Sequence, residues 1–184
     1  MKIKNSGYSR QRVLLHWLSA VVILWTLASG FYVTGIEVSA GVKYWVGFIN
    51  VSLTTVFIPF FVWRLCIFAA HARYTRVSAL FFEEKLALFA HTLIYLTVSI
   101  VLVTGVLMMD RPINVFGVVE IAQPLSDPEL IAQFFTAHVW ACVVLSGLIA
   151  VHVAAVIVHE VCGHRILRRM SLRLCPNRPN ERFE

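Results

Sequence analysis

Four stretches of the chain, about 13–34, 45–70, 86–109 and 131–161, are predominantly apolar. Each reaches the roughly 20 residues that a helix needs to cross a bilayer. Pro59 lies within the second and predicts a kink there, with neighbouring groups satisfying the carbonyl that loses its donor. Turn residues fill the connectors: Thr34-Gly35, Gly41, Asp110-Arg111-Pro112, Asn114, Gly117, Pro124 and Asp127-Pro128. No internal repeat or low-complexity segment interrupts them. The pattern predicts an all-α polytopic membrane protein, a single domain over residues 1–184 built as an antiparallel four-helix transmembrane bundle.

Composition agrees and removes other classes. The chain is 59% apolar and 14% charged, with a mean hydropathy of +0.76, against roughly 45–50% and 25% for a soluble domain. So little charge and thirteen Phe exclude disorder, and four scattered Cys do not make a disulfide framework. A net charge of +6 invites nucleic acid as a partner, but in so apolar a chain the basic residues serve the membrane. Their positions say how. Lys2, Lys4, Arg10 and Arg12 precede the first span, and Arg64, Arg73, Arg76 and Lys85 surround the second connector. Arg165, Arg168, Arg169, Arg173, Arg178 and Arg182 follow the fourth. Thus 14 of the 16 Lys and Arg lie on one side, leaving Lys43 and Arg111 on the other, and the positive-inside rule puts both termini in the cytoplasm. The N-terminus carries charge without an apolar core and reads as no cleavable signal. Contact of the basic tail with anionic lipid is a further use, although fixing orientation is role enough.

Ionisable side chains at membrane depth are costly and mark functional positions. Of seven His, His71 and His164 fall in cytoplasmic segments and His159 at the inner end of the last span. His16, His91, His138 and His152 lie deeper. His138 and His152 are fourteen residues apart, which on a helix falls about 40° short of whole turns and separates them by roughly 21 Å along one face. That spacing suits two cofactors stacked across the membrane, with His138 the outer and His152 the inner member. His16, one turn inside the first span, reaches the depth of His152 across the bundle. Zinc asks for a closed set of four ligands, and no tight Cys/His cluster exists. Haem iron takes two axial ligands from opposite sides, so two His on two helices suffice. The segment Glu160-Val161-Cys162-Gly163-His164 lacks the first Cys of a covalent attachment motif, which leaves a non-covalent b-type haem. Gly30, Gly105 and Gly147 would let a macrocycle approach the backbone, or serve helix packing.

The chain resembles the bacterial cytochrome b561 family of four-helix membrane cytochromes. The likeness rests on Tyr8-Ser9-Arg10 leading to Leu15-His16-Trp17-Leu18, on Arg64-Leu65, and on Ala90-His91 with Ile94-Tyr95-Leu96. It continues through Val106-Leu107-Met108-Met109, then His138, His152, Ala154-Ala155 and His159, and Leu167-Arg168-Arg169-Met170. The resemblance implies a b-type cytochrome of the inner membrane that moves single electrons and often holds two haems. One branch is linked to quinone and oxidises superoxide. By carry-over, His16 and His152 ligate an inner haem, and His138 an outer one together with a His from the start of the second span. Here Asn50 stands in that place, and an amide is a poor iron ligand. Four outcomes stay open: a five-coordinate outer haem, a substitute ligand, a contact through water, or no outer haem. Met108 and Met109 offer thioethers near that level, although adjacent Met at a span end pack more often than they ligate.

Arg64 is expected either to pair with haem propionates, since guanidinium matches carboxylate geometry, or to snorkel as an interfacial charge. His91 has three candidate roles: propionate donor, quinone contact and structural His. The Cys residues read as inert, Cys66, Cys162 and Cys175 on the reducing side and Cys142 alone within a span. The expected function is electron transfer between a quinone pool and an outer donor or acceptor such as superoxide. The rival readings are a haem-bearing anchor relaying electrons from a partner dehydrogenase, and a cofactor-free transporter or scaffold whose His form a proton relay. The expected partners are membrane lipid, a quinone and a redox partner protein, with no nucleic acid.

Overall fold

The computed structural model describes residues 10–74 and 81–163. Lys2, Lys4, Arg76, His164, Cys175 and the basic tail lie outside the described residues, as do the side chains of His71 and Arg73. Four helices form the fold: α1 (Arg10–Gly35), α2 (Ala40–Tyr74), α3 (Phe82–Leu107) and α4 (Pro128–Val161). Each begins a few residues before its apolar run because a helix starts at its cap. The Asp127 carboxylate accepts the Glu129 N–H at 2.9 Å, with Pro128 opening α4. At the start of α3 the Phe81 N–H donates to Glu84 Oε2 at 3.0 Å. The α2 helix continues through Pro59.

All four helices are long and apolar enough to cross a membrane, and only 22% of the first span and 11% of each other span is buried inside the protein. The apolar majority therefore faces outward, an arrangement stable in lipid and not in water. Consecutive helices are antiparallel, as pairwise contacts along their length show. Ser29 meets Asn50 and His16 meets Arg64 between α1 and α2. Thr104 meets His138 and His91 meets His152 between α3 and α4. The helices thus form two hairpins, α1 with α2 and α3 with α4. The hairpins join at mid-bundle through Val22, Phe57, Phe61, Val98 and Leu145, at least one residue from every helix.

A helix satisfies its backbone hydrogen bonds within the span, as lipid requires, except at Pro59 of α2, which has no N–H to donate. Most Ser and Thr hydroxyls return to the carbonyl one turn earlier, among them Ser19 to Leu15, Thr97 to Leu93 and Thr136 to Ala132. Ser52 is different. It is fully buried, donates to the Asn114 carbonyl at 3.2 Å and accepts the Phe116 N–H at 3.0 Å.

Those two groups belong to an element the sequence pattern does not announce. The connector after α3 holds an antiparallel hairpin, β1 (Ile113–Val115) and β2 (Val119–Ile121), with Ile113 opposite Ile121. Its turn closes with the Val118 N–H donating to Val115 O at 3.0 Å. Phe116 at φ 50° and Gly117 at φ 74° both adopt the left-handed conformation. Glycine takes it freely, whereas Phe116 incurs a penalty of roughly 1–2 kcal/mol. The bond to Ser52 and an edge-on contact with the Phe48 ring offset it. Ser52→Ala should strip partners from both hairpin groups and cost about 1–3 kcal/mol. Thermal unfolding in detergent reads this, and an unchanged midpoint would show that the hairpin is not anchored through Ser52.

Candidate functional site

The polar side chains inside the bundle gather at two levels, one near the chain termini and one near the β-hairpin. At the termini end, Arg64 Nη2 donates to His16 Nδ1 at 2.9 Å. The guanidinium lies over the Tyr95 ring, 5.1 Å from its centroid, a cation–π contact that steadies the charge. Beside it the rings of His91 and His152 meet edge-on at 5.3 Å. His91 Nδ1 donates to the Ala87 carbonyl at 2.6 Å, so its lone pair is on Nε2. His16 lies within electrostatic range of both His152 and His91. The antiparallel register thus brings His16, Arg64 and His152 to one level, and adds His91 and Tyr95 from α3.

At the hairpin end the two helix pairs part around a cavity of about 320 Å³. Val22, Phe57, Val98 and Leu145 form its floor, so the mid-bundle core separates the two levels. His138 lies on one wall. Its Nδ1 donates to Val101 O at 3.1 Å and lies 3.2 Å from Thr104 Oγ1, whose own proton goes to Ile100 O. These bonds fix the ring and put the lone pair on Nε2, the arrangement in which a ligating His is normally held. Across the cavity, Asn50 bonds reciprocally with Ser29, donating at 2.9 Å and accepting at 3.0 Å.

The glycines divide by role. Gly30 and Gly47 line the cavity with open space where a Cβ would stand. At Gly105 a Cβ would come within 3.2 Å of His138 Cε1, so that residue makes room for the imidazole rather than for a macrocycle directly. Gly147 is exposed and lies away from the cavity. Cys142 is not isolated within its span, because its thiol reaches His138 Nε2 at 3.5 Å. The signal was present as a His and a Cys four residues apart, which share one helix face.

Among the described residues no three His, Cys, Asp or Glu side chains are placed to hold a bare metal ion. At the β-hairpin end an imidazole with its lone pair set by a backbone carbonyl lines an apolar slot backed by glycine, and at the termini end His16 and His152 share a level with a guanidinium; such sets suit a flat macrocycle that brings its own iron. The class so defined is a membrane-embedded haem bundle. The family model of prokaryotic cytochrome b561 matches residues 7–171, and the chain belongs to that family. It is a multi-pass inner-membrane b-type cytochrome of electron transfer, with b-type haem as its cofactor. Membership removes the cofactor-free transporter from consideration. No curated protein matches the chain.

The close fit of Gly105 to His138 can be measured. Gly105→Val should displace the imidazole and cost about 1–3 kcal/mol of stability. The same change in a His138→Ala background should cost much less, giving a coupling energy in a double-mutant cycle. Equal costs in the two backgrounds would contradict the contact.

Proposed function

We propose that the cytochrome carries single electrons between a quinone/quinol couple in the bilayer and a donor or acceptor on the hairpin side, of which superoxide is the candidate by family resemblance. In this reading residues 1–184 form one domain, and the termini end faces the cytoplasm. The described charges agree with that orientation: Arg10, Arg12, Arg64 and Lys85 lie toward the termini end, and Lys43 and Arg111 toward the hairpin.

His16 and His152 hold the inner haem b. What carries this assignment is their origin: one stands on each helix hairpin, at one level, with Arg64 bonded to His16. Two imidazoles approaching from opposite hairpins meet the demand of iron for axial ligands on opposite faces. The haem, when bound, supplies the one-electron redox change, and the chain sets its ligation, charge and dielectric.

Arg64 has two partners in turn. An arginine only donates, so the bond to His16 leaves the His16 proton on Nε2 when the ring is neutral. Were His16 to hold a haem through Nε2, its proton would be on Nδ1, and the Arg64 guanidinium would be free to pair with propionate carboxylates. His91 stands against His152 and steadies its ring by the edge-on contact. Membrane lipid surrounds the apolar outer faces. A redox partner protein on either side is compatible with this scheme.

His152→Ala should remove the low-spin haem signal from the purified protein, and pyridine haemochrome assay should show the loss of one haem per chain. A retained low-spin, six-coordinate spectrum would refute the assignment. Arg64→Gln removes a positive charge that favours the reduced state. The inner midpoint potential should fall on the order of 50 mV, about 1 kcal/mol for a one-electron couple. An unchanged potential would place the propionates elsewhere.

A further inference from the structure

The β-hairpin is amphipathic, and only half of its apolar face is covered. Cross-strand partners point to one side of a sheet, so Ile113, Ile121, Val115 and Val119 share a face, while Asn114 and Glu120 share the other. On the apolar face β1 is the strand that packs on α2, and its Ile113 is 3% exposed. The β2 half overhangs. Val119 is 53% exposed and Ile121 44%, with Val118 of the turn at 84%. Glu120, on the polar face, is exposed as well.

Ser52 sets the depth of this overhang. Its bonds to the Asn114 carbonyl and the Phe116 N–H hold the hairpin level with a position nine residues past Lys43 and twelve before Arg64. Those two charges flank an uncharged run of 20 residues in α2, which spans about 30 Å, one hydrocarbon thickness. The hairpin thus meets α2 about 13 Å inward of Lys43. A chain of rings runs outward from it. Phe116 meets Phe48 at 6.4 Å and Phe48 meets Trp45 at 5.8 Å, both edge-on, with Tyr44 and Trp45 exposed. Trp and Tyr favour the membrane–water boundary. Among the described residues β2 has no strand on its outer edge, and unpaired backbone groups are excluded from the hydrocarbon centre. Acyl chains for the apolar face and water for the open edge are both found at the boundary between acyl chains and headgroups.

We propose that the β-hairpin is an interfacial anchor, seated in the leaflet on its own side of the membrane. Val118, Val119 and Ile121 enter the acyl-chain boundary, and Glu120 faces the hydrated headgroups. The occupant of the uncovered face is phospholipid, continuous with the lipid around the outward faces of the spans. A second copy of the chain fits less well. Pairing β2 with β2 about a two-fold axis sets Glu120 against Glu120, and like charges directly opposite repel. Haem ligation plays no part in this contact, which depends on the four spans and on the register of the hairpin.

Photocrosslinking of the full chain in vesicles of phosphatidylcholine and phosphatidylglycerol tests this. Val119, Glu120 and Ile121 are replaced one at a time by benzoylphenylalanine, and mass spectrometry of the irradiated hairpin peptide reads what each position captures. Phospholipid adducts at Val119 and Ile121 should exceed those at Glu120 roughly fivefold, because successive residues of a strand face opposite sides. Circular dichroism matching the unaltered chain qualifies each variant. Val118, in the exposed turn, takes the photoprobe where a strand variant fails to fold, and should likewise capture lipid. No lipid adduct from the apolar face, equal capture at Glu120 and its neighbours, or crosslinks between two copies in place of lipid would each overturn the proposal.

Discussion

Polar side chains within a lipid-embedded bundle have mainly one another to bond with, and the helices are held in register by that constraint. No buried side-chain nitrogen or oxygen among the described residues lacks a partner. Most Ser and Thr hydroxyls are satisfied within their own helix, and the few polar pairs between helices are the ones that align them. Asn50 with Ser29 and Arg64 with His16 pin α1 along α2 at two points, one near each membrane surface. His138 with Val101 O and the His91–His152 contact do the same for α3 and α4. Water would compete for each of these groups, whereas lipid does not. The residues that set the architecture are therefore also the ones that stand ready for chemistry.

The apolar core has a complementary task. Val22, Phe57, Phe61, Val98 and Leu145 tie the two helix hairpins together at mid-depth. Toward the β-hairpin the helix pairs part around the cavity beside His138. A bundle packed along its whole length would leave no room for a macrocycle. One joined at a central layer leaves such room on the β-hairpin side, with the apolar layer as its floor. Fourteen residues between His138 and His152, with Leu145 midway, are the sequence expression of that arrangement.

Much of this was legible from the sequence because lipid imposes simple rules. Four spans and the shared face of His138 and His152 follow from length and helical period alone. The meeting of His16 with Arg64 was not legible, although both residues stood out, because it depends on how α1 and α2 are rotated about their axes. The same holds for Ser29 with Asn50 and for Gly105 with His138, pairs from different spans whose contact no local pattern encodes. The β-hairpin escaped because its strands are three residues each and its turn places Phe116, a residue unsuited to positive φ, where Gly or Asn is usual. Cys142 was the avoidable miss, since its four-residue spacing from His138 was in plain view.

The central reading we propose for this architecture is one haem held at the termini end by an imidazole from each helix hairpin, His16 and His152. Low-temperature electron paramagnetic resonance of the oxidised protein addresses it directly. A low-spin ferric signal that disappears in His152→Ala is the predicted spectrum. A spectrum with no low-spin component, or a low-spin signal that survives His152→Ala unchanged, would contradict it.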